Sequence, residues 1–133
     1  MERLFVDTGA WYAYANRKDR DHARVAATLR PWKGRVVTSG FVFDEVVTLC
    51  LARGLGHAMA TRIGGLLRTP SVVDLVHVTP EDERAAWALF RERPDQGYSF
   101  TDCTSFVLMR RLGIERAAAL DEHFAVEKFD VVP

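Results

Sequence analysis

Short runs of apolar residues recur along the chain. They are separated by longer stretches that mix apolar and polar residues and have the composition of helices. A short, continuous apolar run is typical of a strand that is buried on both faces of a parallel sheet. The pattern therefore predicts β-strands, of which the fourth is the weakest, at residues 4–6, 36–38, 72–78, 117–120 and 129–132.

The stretches between these strands predict helices with recognisable ends. Thr79 and Pro80 predict the clearest helix start, because a cap and a proline at the first helical position precede acidic residues. Ser39 is the expected cap of a helix over 41–53, and Gly113 is expected to end a helix that begins near 101. Further helices are predicted over 10–15, from Asp19 or Asp21 to 29, after Gly56 to about 68, and from 80 to before Pro94.

Strands that alternate with helices form parallel βαβ units with helices on both faces of one sheet. We therefore predict a three-layer α/β/α fold with a four- or five-stranded parallel sheet. No repeat, low-complexity tract or linker-like stretch divides the chain, so residues 1–133 are predicted to form a single domain.

Composition narrows the classes of protein that fit. The chain is 48% hydrophobic and 27% charged, which is typical of globular proteins, and no apolar run approaches the ~20 residues of a membrane span. Cys50 and Cys103 lack the spacing of a zinc ribbon or a disulfide scaffold, and no secretory signal is recognisable, so we expect a cytoplasmic protein. A net charge of zero argues against non-specific coating of nucleic acid.

Four acidic residues occupy positions where function is expected. Asp7 and Asp121 directly follow predicted strands, whose carboxyl ends form the ligand-binding edge of a parallel sheet. Glu45 lies in a helix that is apolar around most of its circumference, on a stripe expected to face the core, and Asp102 lies at a helix start among aromatic residues. Each position also has an ordinary structural explanation, such as a helix cap or an arginine partner.

Together these acids predict a metal site. Two carboxylates about 4 Å apart repel by roughly 4 kcal/mol at an effective dielectric constant of 20, so a cluster persists only if protons or a cation neutralise it. Oxygen ligands favour hard cations, so Mg²⁺ or Mn²⁺ is expected, and the preference of Mg²⁺ for phosphate indicates phosphoryl chemistry.

The order of these motifs resembles that of a PIN domain, and most closely that of a VapC-type toxin ribonuclease, over nearly the whole chain. The motifs are Asp7-Thr8, Glu45 in an apolar helix, Thr101-Asp102, and Asp121-Glu122-His123-Phe124. One departure is Ala119, where many members carry threonine two residues before the fourth acid; alanine removes a possible hydrogen bond to Asp121.

The resemblance implies a metal-dependent endoribonuclease that is often homodimeric and is inhibited by a co-encoded antitoxin whose tail enters the cleft. Under this hypothesis Asp7 and Asp102 hold Mg²⁺ (or Mn²⁺), directly or through water. Glu45 and Asp121 complete the cage or orient the attacking water, and Thr8 steadies Asp7 or a water on the ion. The alternative is a PIN-like module that binds RNA or protein without cleaving.

RNA also requires a basic path to the cleft. The cations that follow the predicted helix after Asp7 are the best candidates for phosphate contacts, namely Arg17, Lys18 and Arg20. Arg110 and Arg111 are weaker candidates, and Trp11 and Tyr12 either stack a base or belong to the core or a dimer surface.

Other chemistries fit the sequence less well. Asp7-Thr8-Gly9 also matches the aspartic-protease signature, but those enzymes carry it twice in an all-β fold. The four histidines are scattered without metal-ligand spacing and are interpreted as structural or surface residues. No histidine pairs visibly with Cys103, so cysteine catalysis is not expected.

Overall fold

A computed structural model describes residues 2–133 and contains one parallel sheet of five strands. The strands are β1 (Arg3–Val6), β2 (Arg35–Ser39), β3 (Val73–Val76), β4 (Arg116–Ala118) and β5 (Asp130–Val132). Their order is β3-β2-β1-β4-β5, and every neighbouring pair is parallel. β1 lies at the centre with Leu4, Phe5 and Val6 fully buried, as its continuous apolar run predicts.

Seven helices accompany the sheet within the described residues, in the predicted three-layer α/β/α arrangement. They are α1 (Thr8–Ala15), α2 (His22–Leu29), α3 (Gly40–Ala52), α4 (His57–Leu67), α5 (Pro80–Glu92), α6 (Phe100–Leu112) and α7 (His123–Val126). α1 packs against α2 and α3, α3 packs against α4, and α5 packs against α6. The predicted fold class is thereby confirmed.

The helix starts are set by side-chain caps. Ser39 Oγ accepts a hydrogen bond from the backbone N–H of Val42 at 3.1 Å, as expected for the cap of α3. At α5, Thr79 and Asp82 form a reciprocal capping box, in which each side chain accepts from the other residue's backbone N–H. A second capping box starts α6 at Phe100, one residue before the predicted start.

Two local predictions were wrong. β4 ends at Ala118 rather than at residue 120, so Asp121 lies three positions beyond the strand. The four-residue helix α7 was not predicted, because one turn is too short to produce a helical period in the sequence.

Aromatic packing holds the short α7 against the rest of the core. The ring of Phe124 lies 4.9 Å from that of Phe106 on α6 and 6.4 Å from that of Phe5 on β1, measured between centroids. All three rings are fully buried. This cluster fixes the segment that follows Asp121 relative to α6 and to the central strand.

The aromatic pair in α1 belongs to the core. Trp11 and Tyr12 are 2% and 6% exposed, and Trp11 Nε1 donates to Thr38 Oγ1 at 3.2 Å. The core alternative is therefore confirmed, and base stacking by this pair was wrong. No helix within residues 2–133 has the length and apolar character needed to cross a membrane.

Candidate active site

Asp7 is placed by the central strand. It is the N-cap of α1 and directly follows β1, and its backbone N–H donates to the carbonyl of Ala118 at 3.0 Å. This bond joins the carboxyl ends of β1 and β4, from which the chain continues to Asp121. Topology thus brings the first and fourth predicted acids to one edge of the sheet, as expected for parallel strands.

The Asp7 carboxyl group is buried without a neutralising partner. Its Oδ1 atom and Thr8 Oγ1 are both buried and have no hydrogen-bond partner among the described residues. Burial raises the pKa of Asp7 well above its usual range, and the negative charge of Asp102 raises it further. The backbone N–H of Thr8 opposes this rise, whereas the charges of Asp121 and Glu45 add to it.

Ligand atoms of Asp102 and Asp121 lie within 4.8 Å of each other, and the charges of Asp102, Asp121 and Glu45 all raise the pKa of Asp7. Such an arrangement is costly for a metal-free protein, because an unpaired buried oxygen faces like charges. The donor set consists of carboxylates and one hydroxyl, which suits a hard divalent cation. The residues present therefore fit Mg²⁺ or Mn²⁺.

Asp102 is held by one of its two oxygens. Its Oδ2 atom accepts from the backbone N–H of Ser99 at 3.0 Å and lies 3.1 Å from His123 Nδ1. Its Oδ1 atom accepts no hydrogen bond within residues 2–133, and the whole residue is only 8% exposed. One oxygen is therefore available to a ligand while the other fixes the side chain.

Asp121 and Glu45 form the more accessible side of the cluster. Asp121 is exposed, and its Oδ1 accepts from the backbone N–H of His123 at 3.0 Å. Glu45 is half-buried, and the expectation that it faces the core was wrong. The core-facing stripe of α3 is formed by Val42, Val46 and Cys50, which rotates Glu45 away from the core.

His123 is the residue that the sequence analysis missed. Ligand atoms of Asp102, Asp121 and His123 all lie within 4.8 Å of one another. The signal is its position two residues after Asp121, inside the motif Asp121-Glu122-His123-Phe124, whereas the spacing of the four histidines relative to one another gives no indication of it. The structure therefore places a histidine that was interpreted as a structural or surface residue beside two of the four acids.

Several other acids are neutralised by arginine, in contrast to the four of the cluster. Glu127 Oε1 accepts from Arg110 Nη2 at 3.0 Å, and Asp82 Oδ2 accepts from Arg111 Nη2 at 2.8 Å. Arg110 and Arg111 each form an ion pair within the fold, which weakens their case as phosphate contacts. No lysine or arginine pairs with the four clustered acids within residues 2–133.

The cysteines do not contribute a nucleophile. Burial raises the pKa of Cys103 to about 11, and burial also raises the pKa of Cys50. Both thiols are free and buried. A thiol in that state carries almost no thiolate near neutral pH, in agreement with the expectation that cysteine catalysis is absent.

The predicted basic segment after α1 lies at the surface. Arg17 and Lys18 are exposed and form no ion pair within the described part of the chain. The Nε atom of Arg20 lies 3.6 Å from Asp21 Oδ2, so its charge is partly offset. Arg17 also lines a groove of about 410 Å³ together with Arg30 and Arg62.

Comparison with known families decides the classification. The profile of the PIN domain matches residues 4–128. The chain belongs to the PIN domain family. It is 38% identical to the 23S rRNA-specific endonuclease VapC20 of Mycobacterium tuberculosis over 129 residues, which cover 95% of each chain.

Solved structures agree with this assignment. A crystal structure of M. tuberculosis VapC20, described as a sarcin-ricin loop-cleaving toxin, superposes with a TM-score of 0.91 at 36% identity, covering 98% of this chain and 99% of that one. A toxin–antitoxin complex from Klebsiella pneumoniae has a TM-score of 0.69 at 14% identity, over 98% and 96% of the two chains, and shows the common fold. The predicted resemblance to VapC-type toxin ribonucleases is confirmed, and the name of VapC20 as an endonuclease agrees with the expected class of enzyme.

Proposed function

We propose that this PIN domain enzyme is the toxin of a type II toxin–antitoxin pair and hydrolyses RNA phosphodiester bonds with Mg²⁺ or Mn²⁺ at the acidic cluster. The observation that carries the proposal is the buried Oδ1 of Asp7, which has no hydrogen-bond partner and feels the charges of three further acids, with no arginine paired to any of the four within residues 2–133. A cluster of this kind is expected where a divalent cation binds.

The roles proposed for the four acids follow from how deeply each is buried. We assign the ion to Asp7 and Asp102, the two buried members, each of which has a carboxylate oxygen without a hydrogen-bond partner among residues 2–133. Glu45 and Asp121, which are more accessible, complete the cage or orient the attacking water. Thr8 steadies Asp7 or a water through its unpartnered hydroxyl. When bound, the divalent ion stabilises charge on the phosphate and makes hydroxide available near neutral pH.

The proposed substrate is 23S ribosomal RNA. The support is that VapC20 is a 23S rRNA-specific endonuclease and that its 38% identity to this chain extends over 95% of both chains. Incubation of intact ribosomes with the protein and Mn²⁺, followed by mapping of new RNA ends, tests this proposal. Cleavage at a single site in 23S RNA supports the proposed substrate, and cleavage confined to other RNAs overturns it. If no RNA is cleaved, the alternative of a non-cleaving module is favoured.

Binding of Mn²⁺ should stabilise the fold measurably. At a free concentration of 100 times Kd, mass action contributes about 2.7 kcal/mol, which raises the Tm of a domain of this size by roughly 10 °C. Differential scanning fluorimetry with and without Mn²⁺ measures the shift. Asp95→Asn, at an exposed loop acid, serves as a control and should shift as the wild type does. An unchanged wild-type Tm at millimolar Mn²⁺ would contradict the metal site.

The basic residues after α1 are proposed to contact RNA phosphates. Replacing Arg17 and Lys18 by alanine should weaken RNA binding and reduce the slope of log K against log salt by about 1 for each lost contact. Arg20→Ala should have a smaller effect because Asp21 already offsets its charge. Arg84→Ala on α5, another exposed arginine, is the control, and filter binding over a salt series is the measurement. A slope that the double variant leaves unchanged would exclude these contacts.

A second copy of the chain is the proposed occupant of an aromatic face beside the cluster. Trp87 and Phe90 are 53% and 38% exposed and stack at 5.6 Å, and Trp87 also contacts Phe100, which contacts Phe41. Exposed aromatic surface of this kind is typical of an interface. Because Phe100 lies two residues before Asp102, a homodimer formed here would border the catalytic cleft.

Substitution of Trp87 tests the homodimer. Trp87→Glu should raise the dimer dissociation constant at least about thirtyfold, the effect of removing an interface hot spot worth ~2 kcal/mol. Sedimentation velocity gives the oligomeric state. Leu51→Glu, at another exposed apolar position, should leave it unchanged. A wild-type chain that sediments as a monomer at all concentrations would exclude this homodimer.

The remaining proposals concern context. A cognate antitoxin is the expected inhibitor, with a basic tail whose arginine pairs with the unneutralised acids, because the similar VapC20 is described as a toxin. A cytoplasmic location fits the two free cysteines. The single domain over 1–133 stays a prediction.

A further inference from the structure

We propose that His123 is a positioning residue that holds Asp102 and Asp121 in the orientation needed for metal binding. This inference rests on the proposed function and extends it to a residue outside the acidic quartet. It begins from a contact: His123 is the one basic side chain within 4 Å of two of the clustered carboxylates among the described residues.

A single residue engages both acids. The backbone N–H of His123 donates to Asp121 Oδ1 at 3.0 Å, and its ring Nδ1 lies 3.1 Å from Asp102 Oδ2. An ionised carboxylate is only an acceptor, so this contact requires a proton on Nδ1. The ring then donates to Asp102 while the backbone donates to Asp121, and the two acids are linked through His123.

The link leaves a defined oxygen for the ion. Asp102 Oδ2 also accepts from the backbone N–H of Ser99, so two donors hold that atom. Asp102 Oδ1 has no protein donor within residues 2–133. With one oxygen fixed by two hydrogen bonds, the carboxylate has little freedom to rotate, and Oδ1 is presented to the ion without an ordering cost.

The imidazole of His123 packs against the buried ring of Tyr98. The ring of Tyr98 contacts it edge to face at 5.1 Å, and the Tyr98 hydroxyl donates to Glu127 Oε2 at 2.8 Å. Glu127 is held in turn by Arg93 and Arg110. The ring therefore rests on a buried, hydrogen-bonded support, as a residue that orients a metal ligand requires.

Three variants separate positioning from other roles. In His123→Ala the ring donor is lost, whereas in His123→Asn the side-chain amide can still donate towards Asp102. His77→Ala, an exposed histidine on the segment after β3, is the matched control. Isothermal titration with Mn²⁺, steady-state RNA cleavage and urea unfolding are measured on each full-length protein.

We expect His123→Ala to weaken Mn²⁺ binding by about 10- to 100-fold and to lower kcat by a similar factor, with little change in KM for RNA, as found when an outer partner of a metal ligand is removed. His123→Asn should recover most of both losses, and His77→Ala should match the wild type. Unchanged Mn²⁺ affinity in His123→Ala, or no recovery in His123→Asn, would overturn the proposal.

Two spectroscopic readouts complete the test. In electron spin-echo spectra of the Mn²⁺-loaded protein we expect no imidazole nitrogen coupling; its presence would make His123 a direct ligand and overturn the positioning role. In the metal-free protein, long-range ¹H–¹⁵N NMR should find the proton on Nδ1, and a proton on Nε2 alone would overturn the link. A wild-type protein that binds no Mn²⁺ but shows the Nδ1 proton would refute the proposed function while retaining the hydrogen bond.

Discussion

Asp7→Asn should abolish RNA cleavage, with a loss of at least about a hundredfold in kcat/KM. Removing a residue that only hydrogen-bonds to a metal ligand lowers activity by up to about a hundredfold. Because Asp7 is itself a proposed ligand, its loss should lower activity by at least this factor. Asparagine preserves the shape of the side chain but removes the charge that attracts the ion. Asp95→Asn, which also removes one carboxylate but in an exposed loop, should cleave RNA at the wild-type rate.

The same substitution should stabilise the metal-free protein at neutral pH. The folded-state pKa of Asp7 is raised by burial and by the neighbouring acids, so the unfolded chain releases this proton more easily than the folded one. The contribution of Asp7 to stability is therefore lost as the pH rises from about 3.9, the usual pKa of aspartate, through the raised folded value.

Because asparagine does not ionise, the stability of the Asp7→Asn variant does not fall with the ionisation of this side chain. The difference in free energy of unfolding between variant and wild type should grow over this pH window, in favour of the variant, and stay constant above it. Urea unfolding in the presence of a chelator gives the difference at each pH. A variant that is both inactive and less stable than the wild type at neutral pH would point to a structural role for Asp7.

Glu127→Ala should destabilise the fold by about 1–3 kcal/mol, the cost of leaving a buried donor, the Tyr98 hydroxyl, without its acceptor. The Glu127 side chain is 4% exposed and accepts from Tyr98, Arg93 and Arg110. Its loss leaves the buried Tyr98 hydroxyl without its acceptor and two arginines without a counter-ion. Glu122→Ala, at an exposed acid of the same segment, should change stability by less than about 0.5 kcal/mol in urea unfolding.

Glu127 also titrates in the direction opposite to Asp7. Burial alone would raise the pKa of Glu127, but hydrogen bonds from Tyr98 and Arg110 and the charges of Arg110 and Arg93 lower it overall. Its contribution is present above the unfolded-state pKa of about 4.3 and is lost as the pH falls through the lowered folded value. Glu127→Gln should remove this acid-dependent loss, and an unchanged acid-side slope would show that other carboxylates dominate it.

The sheet and its helices were largely predictable because buried parallel strands are encoded as local apolar runs. β1 and the capped start of α5 could be read from a few consecutive residues. α7 could not, since what stabilises it is the non-local packing of Phe124 against Phe106 and Phe5. Tertiary contacts of this kind leave no short-range pattern in a sequence.

In the candidate site, too, the features encoded by a few consecutive residues could be predicted, and those that depend on tertiary contacts could not. Asp7 could be predicted as a candidate because its position at a strand end is a local property. The orientation of Glu45 could not, because α3 is apolar around most of its circumference and its sequence does not distinguish the core-facing stripe. The partners of Arg110 and Arg111 and the contact between His123 and Asp102 join residues 17 or more positions apart, which only the folded chain reveals.

The capping box at Ser99 gives Asp102 two duties at once, as a helix starter and as a member of the cleft. These duties have different evolutionary consequences. In a gene copy released from selection for nuclease activity and metal binding, Asp7 is free to mutate because its charge opposes folding of the metal-free protein, whereas loss of Asp102 still weakens a helix that the core requires. Inactive copies of this gene should therefore lose Asp7 early and keep Asp102. An aspartate at position 102 alone does not indicate a catalytically active enzyme.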